Sequence, residues 1–525
     1  MNRKDFLKAS GITTAAIALN GLPIKAIADK ADQVKKIRGT SSGRIFVFVV
    51  LSGGNDGLNT VIPIDKYAEL AAARNNVLIP QNQVLTLNGS ITTGLHPAMD
   101  KMRTMYNSGA INITQGVGYS NFNYSHFRAT DIYNTASDAN TFLNDGWIGR
   151  YLAKRFVGAP NAYPSVDFLD PLAVQIGNSL STLLTGPDGQ IGFALQDLNN
   201  FYQITNGLNL DPPPNTPAGH ELTFIRYINE QTHSYIQSIQ NAAAAGTNTV
   251  TYPTNNYLAN QLKIVAKLIS GGMQTPFYIV EIGGFDTHSN QVNSSNNSIG
   301  DHAELLGKVS DAISAFYEDL KAQGKDDKVA GCTVTEFGRR IKSNASSGTD
   351  HGTAGPMICF GKNVIPGING MSPNLPAAAD VNDQVPMQFD FRQVYASILE
   401  DWFGVSAADT KEILNNQSYT KLPIFKAAPN GSTSVIDYNN YTLGAIHVYP
   451  NPMKDHATIN FESEGGQAHI VLYNDIGVRI KDIYQNEIQK GRWSVNIERG
   501  TLTTGTYYFT IYIENKSASG KLIVD

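Results

Sequence analysis

The sequence predicts an α/β protein, a mostly parallel sheet with helices on both faces, followed by a small C-terminal β-sandwich. Three observations predict it. Between residues 39 and 425, short apolar runs alternate with longer amphipathic segments, as expected of strands covered by crossover helices. Several of these runs end in loops that carry glycine beside a carboxylate, hydroxyl or imidazole. Past residue 441 helical periodicity stops, and β-branched and aromatic runs alternate with turn residues.

Composition bounds the class. The chain has 525 residues, of which 42% are apolar and 16% charged, enough for a sizeable core and too little charge for a disordered or coiled-coil chain. Net charge is −5 and no basic patch stands out, which excludes nucleic acid as a partner. The two cysteines, Cys332 and Cys359, rule out a disulfide framework and argue against a thiolate metal site. Both lie in apolar runs and read as core thiols. A cross-strand disulfide between them stays open, because sequence does not give the separation of their Cα atoms.

In chain order, strands are expected at Ile45–Leu51, Ala110–Gln115, Phe277–Ile282, Val329–Thr335 and Met357–Phe360. Helices are expected at Ala98–Tyr106, Leu222–Ala244, Tyr257–Ile269, His302–Lys321 and Phe391–Phe403. Residues 161–219, with Pro212-Pro213-Pro214, are poorly patterned and read as an insertion or cap. Residues 426–440 are rich in Pro, Gly, Ser, Thr and Asn and read as a linker. In the last segment, 441–525, strands are expected at Ala457–Phe461, Ala468–Tyr473, Trp493–Ile497, Thr506–Ile513 and Lys521–Val524.

Residues 1–28 read as a signal peptide. Arg3, Lys4 and Lys8 precede a short apolar stretch that is interrupted by Asn20 and Pro23, and Ala26-Ile27-Ala28 is a small-x-small exit. The stretch is too short for a membrane span, so no transmembrane segment is expected. The start resembles a twin-arginine signal with Lys4 in place of the second arginine, which leaves general and twin-arginine export both open.

The chemistry sits after the strands. Ile45–Leu51 leads to Ser52-Gly53-Gly54-Asn55-Asp56-Gly57, and Ala110–Gln115 leads through a loop to Ser125-His126. Phe277–Ile282 leads to Gly283-Gly284-Phe285-Asp286-Thr287-His288, and Val329–Thr335 to Glu336-Phe337-Gly338-Arg339-Arg340. Gly348-Thr349-Asp350-His351-Gly352 stands just before Met357–Phe360. Open α/β sheets bind ligands outside the carboxyl ends of their strands, so these groups form a candidate site. Crowded carboxylates need a cation, and carboxylate plus imidazole suits zinc, manganese or iron more than calcium. Ser125 precedes a helix-like run, where orphan N–H groups favour an anion and a nearby metal would help form an alkoxide.

Each residue also has a plainer reading. Ser125 could be a helix cap, Asp56 a turn residue, and Asp286 with His288 a loop pair. Glu336 could pair with Arg339 or Arg340, and His351 and His96 could be structural.

The ordered motifs carry a resemblance. Leu51-Ser52-Gly53-Gly54-Asn55-Asp56-Gly57-Leu58-Asn59, His96-Pro97, Tyr124-Ser125-His126-Phe127 and Gly146-Trp147-Ile148-Gly149-Arg150 are followed by the three later glycine motifs. Together they resemble the domain of unknown function 1501 family, which belongs with the alkaline phosphatase superfamily. The resemblance implies an alkaline phosphatase-like fold and a metal-assisted attack on a phosphate or sulfate ester. It implies Ser125 as nucleophile, Asp56, Asp286, His288, Glu336 and His351 as the shell of one or two divalent ions (zinc or manganese), and Asn55, His126 and Arg339 as substrate-holding groups. The superfamily expects an adjacent Asp-His pair where this chain has Glu336-Phe337. A second alignment places Asp350-His351 on that pair and sets Glu336 behind it.

The last segment resembles a type A sorting domain of type IX secretion through Val448-Tyr449-Pro450-Asn451-Pro452, Leu472-Tyr473-Asn474-Asp475-Ile476-Gly477 and Leu502-Thr503-Thr504-Gly505-Thr506-Tyr507-Tyr508. That implies the type IX machinery as a partner and an exported protein, secreted or held at the outer surface. The functional expectation is a secreted ester hydrolase acting on a small anionic ester or glycan. The alternative is a non-catalytic surface or secreted binding protein on the same fold.

Overall fold

The computed structural model describes residues 43–427 apart from 157, 161–162, 165–167, 197 and 199–234, and residues 444–525 apart from 475–478 and 514–515. The expected signal peptide, nearly all of the linker and much of the 161–219 region lie outside the described residues.

The large unit is built on nine strands: β1 (Ile45–Leu51), β2 (Ile111–Gly118), β3 (Ala173–Ile176), β4 (Gly192–Leu195), β5 (Phe277–Ile282), β6 (Val329–Val334), β7 (Gly355–Phe360), β8 (Gly367–Asn369) and β9 (Phe389–Asp390). Their order is β8-β2-β7-β6-β1-β5-β3-β4, with β9 also beside β2. β1 runs parallel to β5 and β6, β5 to β3, and β3 to β4. β7 is antiparallel to both of its neighbours, β6 and β2, and β8 and β9 run parallel to β2. Among the described strands of this sheet, β7 alone is reversed.

Strand β1 shows why both faces are covered. Its sequence is wholly β-branched or large and apolar, and successive side chains point to opposite faces. Val47, Val49 and Leu51 enter one core with Met102, Leu262, Val265, Leu306, Ile313 and Phe316. Phe46 and Phe48 enter the other with Ile132, Trp147, Tyr151, Val394 and Trp402. The first face is therefore covered by helices α1 (Asp100–Asn107), α4 (Tyr257–Ser270) and α5 (Asp301–Ala322), and the second by α2 (His126–Thr135), α3 (Trp147–Arg155) and α6 (Phe391–Ser397). Local signals set the ends. The Asn256 side chain accepts from Ala259 N to start α4, and Asp390 with Gln393 forms a capping box for α6.

The expected mostly parallel sheet is found, with one addition. Part of the segment read as an insertion or cap supplies β3 and β4, which extend the sheet beyond β5. Each is only four residues long, too short for periodicity to register.

The named strands of the C-terminal unit all pair antiparallel. Its strands are β10 (Gly444–Tyr449), β11 (His456–Asn474), β12 (Arg479–Glu498), β13 (Gly505–Ile513) and β14 (Lys516–Val524). The order is β10-β11-β13-β14, with β12 also on β11. Two runs read as separate strands are the two halves of β11. Its first half pairs with β10 and its second with β13. Gly465 and Gly466, at φ +95° and +124°, lie between the halves. Ile459, Phe461, Ile470, Leu472, Phe509 and Ile511 fill the core.

Candidate metal centre

Because β1, β2, β5 and β6 run the same way, their carboxyl ends share one rim. The reversed β7 begins at that rim, so the residues just before it arrive there too. This explains why His351 precedes its strand while the other candidates follow theirs. Glycines let the loops nest. Gly53 has φ +122°, and a side chain there would collide with the backbone of Phe285 and Asp286. One at Gly348 would strike the backbone of His288.

Asp286 is the centre of the rim. Its Oδ1 lies 3.2 Å from His351 Nε2 and 3.2 Å from His288 Nε2, and its Oδ2 lies 3.5 Å from His126 Nε2. The Nε2 atoms of His288 and His351 are 2.9 Å apart. On each ring the other nitrogen is held from behind. His126 Nδ1 lies 2.7 Å from Glu336 Oε1, His351 Nδ1 lies 2.8 Å from the Tyr124 carbonyl, and His288 Nδ1 lies 3.1 Å from Asp350 Oδ1. An acceptor at Nδ1 fixes the tautomer that leaves Nε2 with its lone pair free. Among the described residues, His126, Asp286 and His351 form the one group whose ligand atoms all lie within 4.8 Å of one another, and His288 adjoins them. The half-exposed cluster opens to solvent at Asp286. Phe337 packs its ring against both His126 and His351, with centroids 4.8 and 4.6 Å away.

Electrostatics suit a cation here. Burial raises the Asp286 carboxyl, but Arg339 and His351 outweigh it and hold the group below the usual carboxylate range. Burial lowers the His351 imidazole, and its bond to the Tyr124 carbonyl offsets this only in part. A neutral imidazole beside an ionised carboxylate is the protonation state in which both donate to a metal.

Ser125 is exposed and occupies the N-cap of α2, yet its side chain makes no cap hydrogen bond. The plain capping reading thus accounts for its position and leaves its hydroxyl uncommitted. Its neighbours on either side, Tyr124 and His126, both touch the cluster.

Five candidates take places other than those expected: Glu336, His126, Arg339, Asp56 and Asn55. Glu336 was expected as a ligand. It is 6% exposed, and its Oε1 also accepts from Gly53 N at 2.8 Å, so it stands behind His126. His126, expected to hold substrate, faces Asp286 beside His288 and His351. Arg339, also expected to hold substrate, is 1% exposed and spends its guanidinium on the carbonyls of Gly53, Gly54, Phe285 and Thr349 and on Asp286. It ties three loops together. Asp56, expected as a ligand, is fully buried in an ion pair with Arg74 at 2.9 Å, and its Oδ2 accepts from Gln291 at 2.6 Å.

Asn55 lies in the same buried layer. Its Oδ1 accepts from Thr60 Oγ1 and bonds His302 Nε2 at 2.9 Å. Burial drives His302 down to about 4 and His96 down to about 3, so both rings are neutral. His96 has the structural role expected of it, its Nδ1 accepting from Ala98 N. Sequence reasoning missed Arg74, Gln291 and His302. Asp350 entered only through the second alignment, and the structure gives it a place at the cluster.

The fold and its rim define an α/β protein of mostly parallel sheet whose edge gathers three imidazoles around one carboxylate. Residues 237–415 match the family described as "Protein of unknown function (DUF1501)", and residues 447–525 match the "Secretion system C-terminal sorting domain". The chain thus carries a DUF1501 domain and a type IX sorting domain, and the latter marks it for export to the medium or the cell surface.

Three solved structures illustrate its likenesses. PorZ, a surface component of the type IX secretion system of Porphyromonas gingivalis, is 18% identical over 19% of this chain and 14% of its own, with a TM-score of 0.13. A protein in the alkaline phosphatase superfamily from Vibrio parahaemolyticus is 10% identical over 63% of each chain, with a TM-score of 0.30. The PsFucS1 sulfatase from Pseudoalteromonas sp. is 10% identical over 91% of this chain and 88% of its own, with a TM-score of 0.28. The chain covers less than two thirds of the length of the first two. No curated protein matches it. No helix among the described residues is long and apolar enough to cross a membrane.

Proposed function

We propose that the large domain is an exported, metal-dependent hydrolase of phosphate or sulfate esters with Ser125 as its nucleophile. The observation that carries the reading is the arrangement of three imidazoles, each held at Nδ1 by an acceptor and each presenting Nε2 to Asp286. His126, Asp286 and His351 would hold the ion, with His288 as a further donor. Three imidazoles and one carboxylate favour zinc over manganese. A bound divalent ion supplies Lewis acidity at the ester oxygens and lowers the pKa of a coordinated hydroxyl.

The chain's own groups do the rest. The start of α2 offers unsatisfied N–H groups to an anionic ester. Ser125, uncommitted and next to His126, is the hydroxyl in reach of such an ester. Its attack forms a serine ester and releases the alcohol, and water then frees the acid. Glu336, Asp350 and the Tyr124 carbonyl orient the imidazoles, and Arg339 holds the loops beneath them. Arg74 already compensates the Asp56 charge, which reduces the expectation of one or two ions to one.

Elemental analysis of the full chain and turnover of a panel of phosphate and sulfate esters test this. One bound zinc per chain and metal-dependent turnover are expected. Ser125→Ala should keep the metal and lose turnover by roughly 10³-fold or more. Metal-free protein that stays inactive after zinc or manganese is added sinks the reading. The binding-protein alternative draws on the ion-paired Asp56, and it expects Ser125→Ala to change nothing.

A further inference from the structure

We propose that Cys332 and Cys359 form an intrachain disulfide across β6 and β7 in the exported protein, and that this bond staples the two strands that deliver Glu336 and His351 to the rim. The proposal stands on register. Cys332 and Cys359 are directly opposed partners in the antiparallel β6–β7 pair, beside the pair Gly331 and Phe360. Directly opposed antiparallel residues have Cα atoms about 4.5–5.5 Å apart, inside the roughly 4.4–6.8 Å range that a disulfide spans. Opposed residues also point to the same face, and both cysteines enter the core that contains Phe48 and Tyr395. In this structure both are free thiols, and Cys332 Sγ donates to the Thr333 carbonyl. Burial, and then the adjacent Cys359, pushes the Cys332 thiol well above its ordinary value.

Chain order gives the bond a consequence. Glu336 lies four residues after Cys332, and Gly355, the first residue of β7, lies four before Cys359. Both stand at the rim end of the pair. The segment that the bond would close contains Glu336, Phe337, Arg339, Asp350 and His351. Locking β6 to β7 therefore fixes the base of the loop that orients two of the clustered imidazoles.

Export gives the bond an opportunity, since disulfides form and persist outside the cytosol. The oxidant is a disulfide of the export compartment, carried by a protein or a small molecule. One cysteine thiolate attacks it and forms a mixed disulfide, expelling one thiolate. The second cysteine thiolate attacks that mixed disulfide at the chain's own sulfur and expels the other. Cys332 and Cys359 lose two protons and two electrons, and the oxidant becomes two thiols. Both side chains are 0% exposed in the folded domain, so the exchange occurs before the sheet closes over them.

The full chain recovered from cells that export it decides the matter. It is unfolded in guanidinium, alkylated before any reductant is added, and weighed. The expected result is no alkylation, a mass two daltons below the reduced chain, and a proteolytic fragment joining Cys332 to Cys359. Two alkylated thiols per chain, or a dimer that reductant dissolves, overturn the proposal. The oxidised chain should also unfold several degrees above the same chain reduced and alkylated. It should lose this advantage in a Cys332→Ala, Cys359→Ala double variant. Equal midpoints would remove the stapling role. None of these outcomes depends on whether the rim binds metal or turns over an ester.

Discussion

Two layers of the same rim hold the same residue types to opposite ends. In the inner layer Asp56, Asn55, His96 and His302 are fully or almost fully buried, and Asp56 spends its carboxylate on Arg74 and Gln291. In the outer layer Asp286, His126, His288 and His351 are partly exposed, and three imidazoles share the Asp286 carboxylate with Arg339. A buried carboxylate must find a partner within the chain, because its desolvation is too costly otherwise. An exposed cluster carries no such demand. The inner layer is therefore scaffold, and the outer layer is where the proposed ion would sit.

That contrast can be broken by substitution. Asp56→Ala strands the Arg74 guanidinium in the core and should destabilise the domain by about 3–5 kcal/mol, read as a loss in the unfolding midpoint. Adding Arg74→Met should restore part of that loss, and no recovery would show that the pair is not what the inner layer depends on. His351→Ala should leave the unfolding midpoint of the metal-free protein within about 1 kcal/mol, while weakening zinc binding by more than about 100-fold. If His351→Ala unfolds the domain and Asp56→Ala does not, the two layers have been assigned the wrong way round.

Smaller effects sharpen the comparison. Glu336→Gln and Asp350→Asn each keep shape but weaken the hold on an imidazole, and should cost roughly 10-fold to 100-fold in zinc affinity by titration. Acid should act on the inner layer. His96 and His302 have folded pKa values pushed down to about 3 and about 4, against an ordinary 6.5. Between those values the unfolded chain binds more protons than the folded one, so stability is full above about pH 6.5 and declines as pH falls below it. Metal-free protein followed by thermal unfolding from pH 7 to 4.5 should show this decline. A flat profile would mean that the two rings are not buried neutral in solution.

Much of this was legible along the chain, for reasons particular to each element. β1 and β5 are rich enough in Val, Ile and Phe, and β6 is apolar enough over its six residues, to register as buried strands, and the glycine motifs behind them marked the rim. β3 and β4 escaped because four residues carry no period. The direction of β7 was invisible because apolar content has no sense of direction. Ser125, His126, Asp286, His288, Glu336 and His351 were all named, and the last five touch one another at one rim. Glu336, expected as a ligand, stands behind His126, and His126 faces Asp286. Which of the two faces Asp286 depends on Gly53 N capturing the carboxylate, a contact 283 residues away in sequence. Arg74 gave no sign of its task, since nothing in a helix reading of Tyr67–Arg74 says that its last residue will reach Asp56 and the carbonyls of Arg340 and Ile341.

By itself the sequence determined the sheet-and-helix class, the antiparallel C-terminal unit with its export signature, and the set of side chains capable of chemistry. These follow from local properties: periodicity, turn residues and the donor atoms each residue carries. Only the tertiary structure decided which of those side chains are free. Whether a carboxylate meets an arginine, an amide or an imidazole is settled by strand direction and by loops that close across hundreds of residues. That outcome separates Asp56, fully buried against Arg74, from Asp286, which Arg339 holds from beneath while nearly half of its side chain stays exposed.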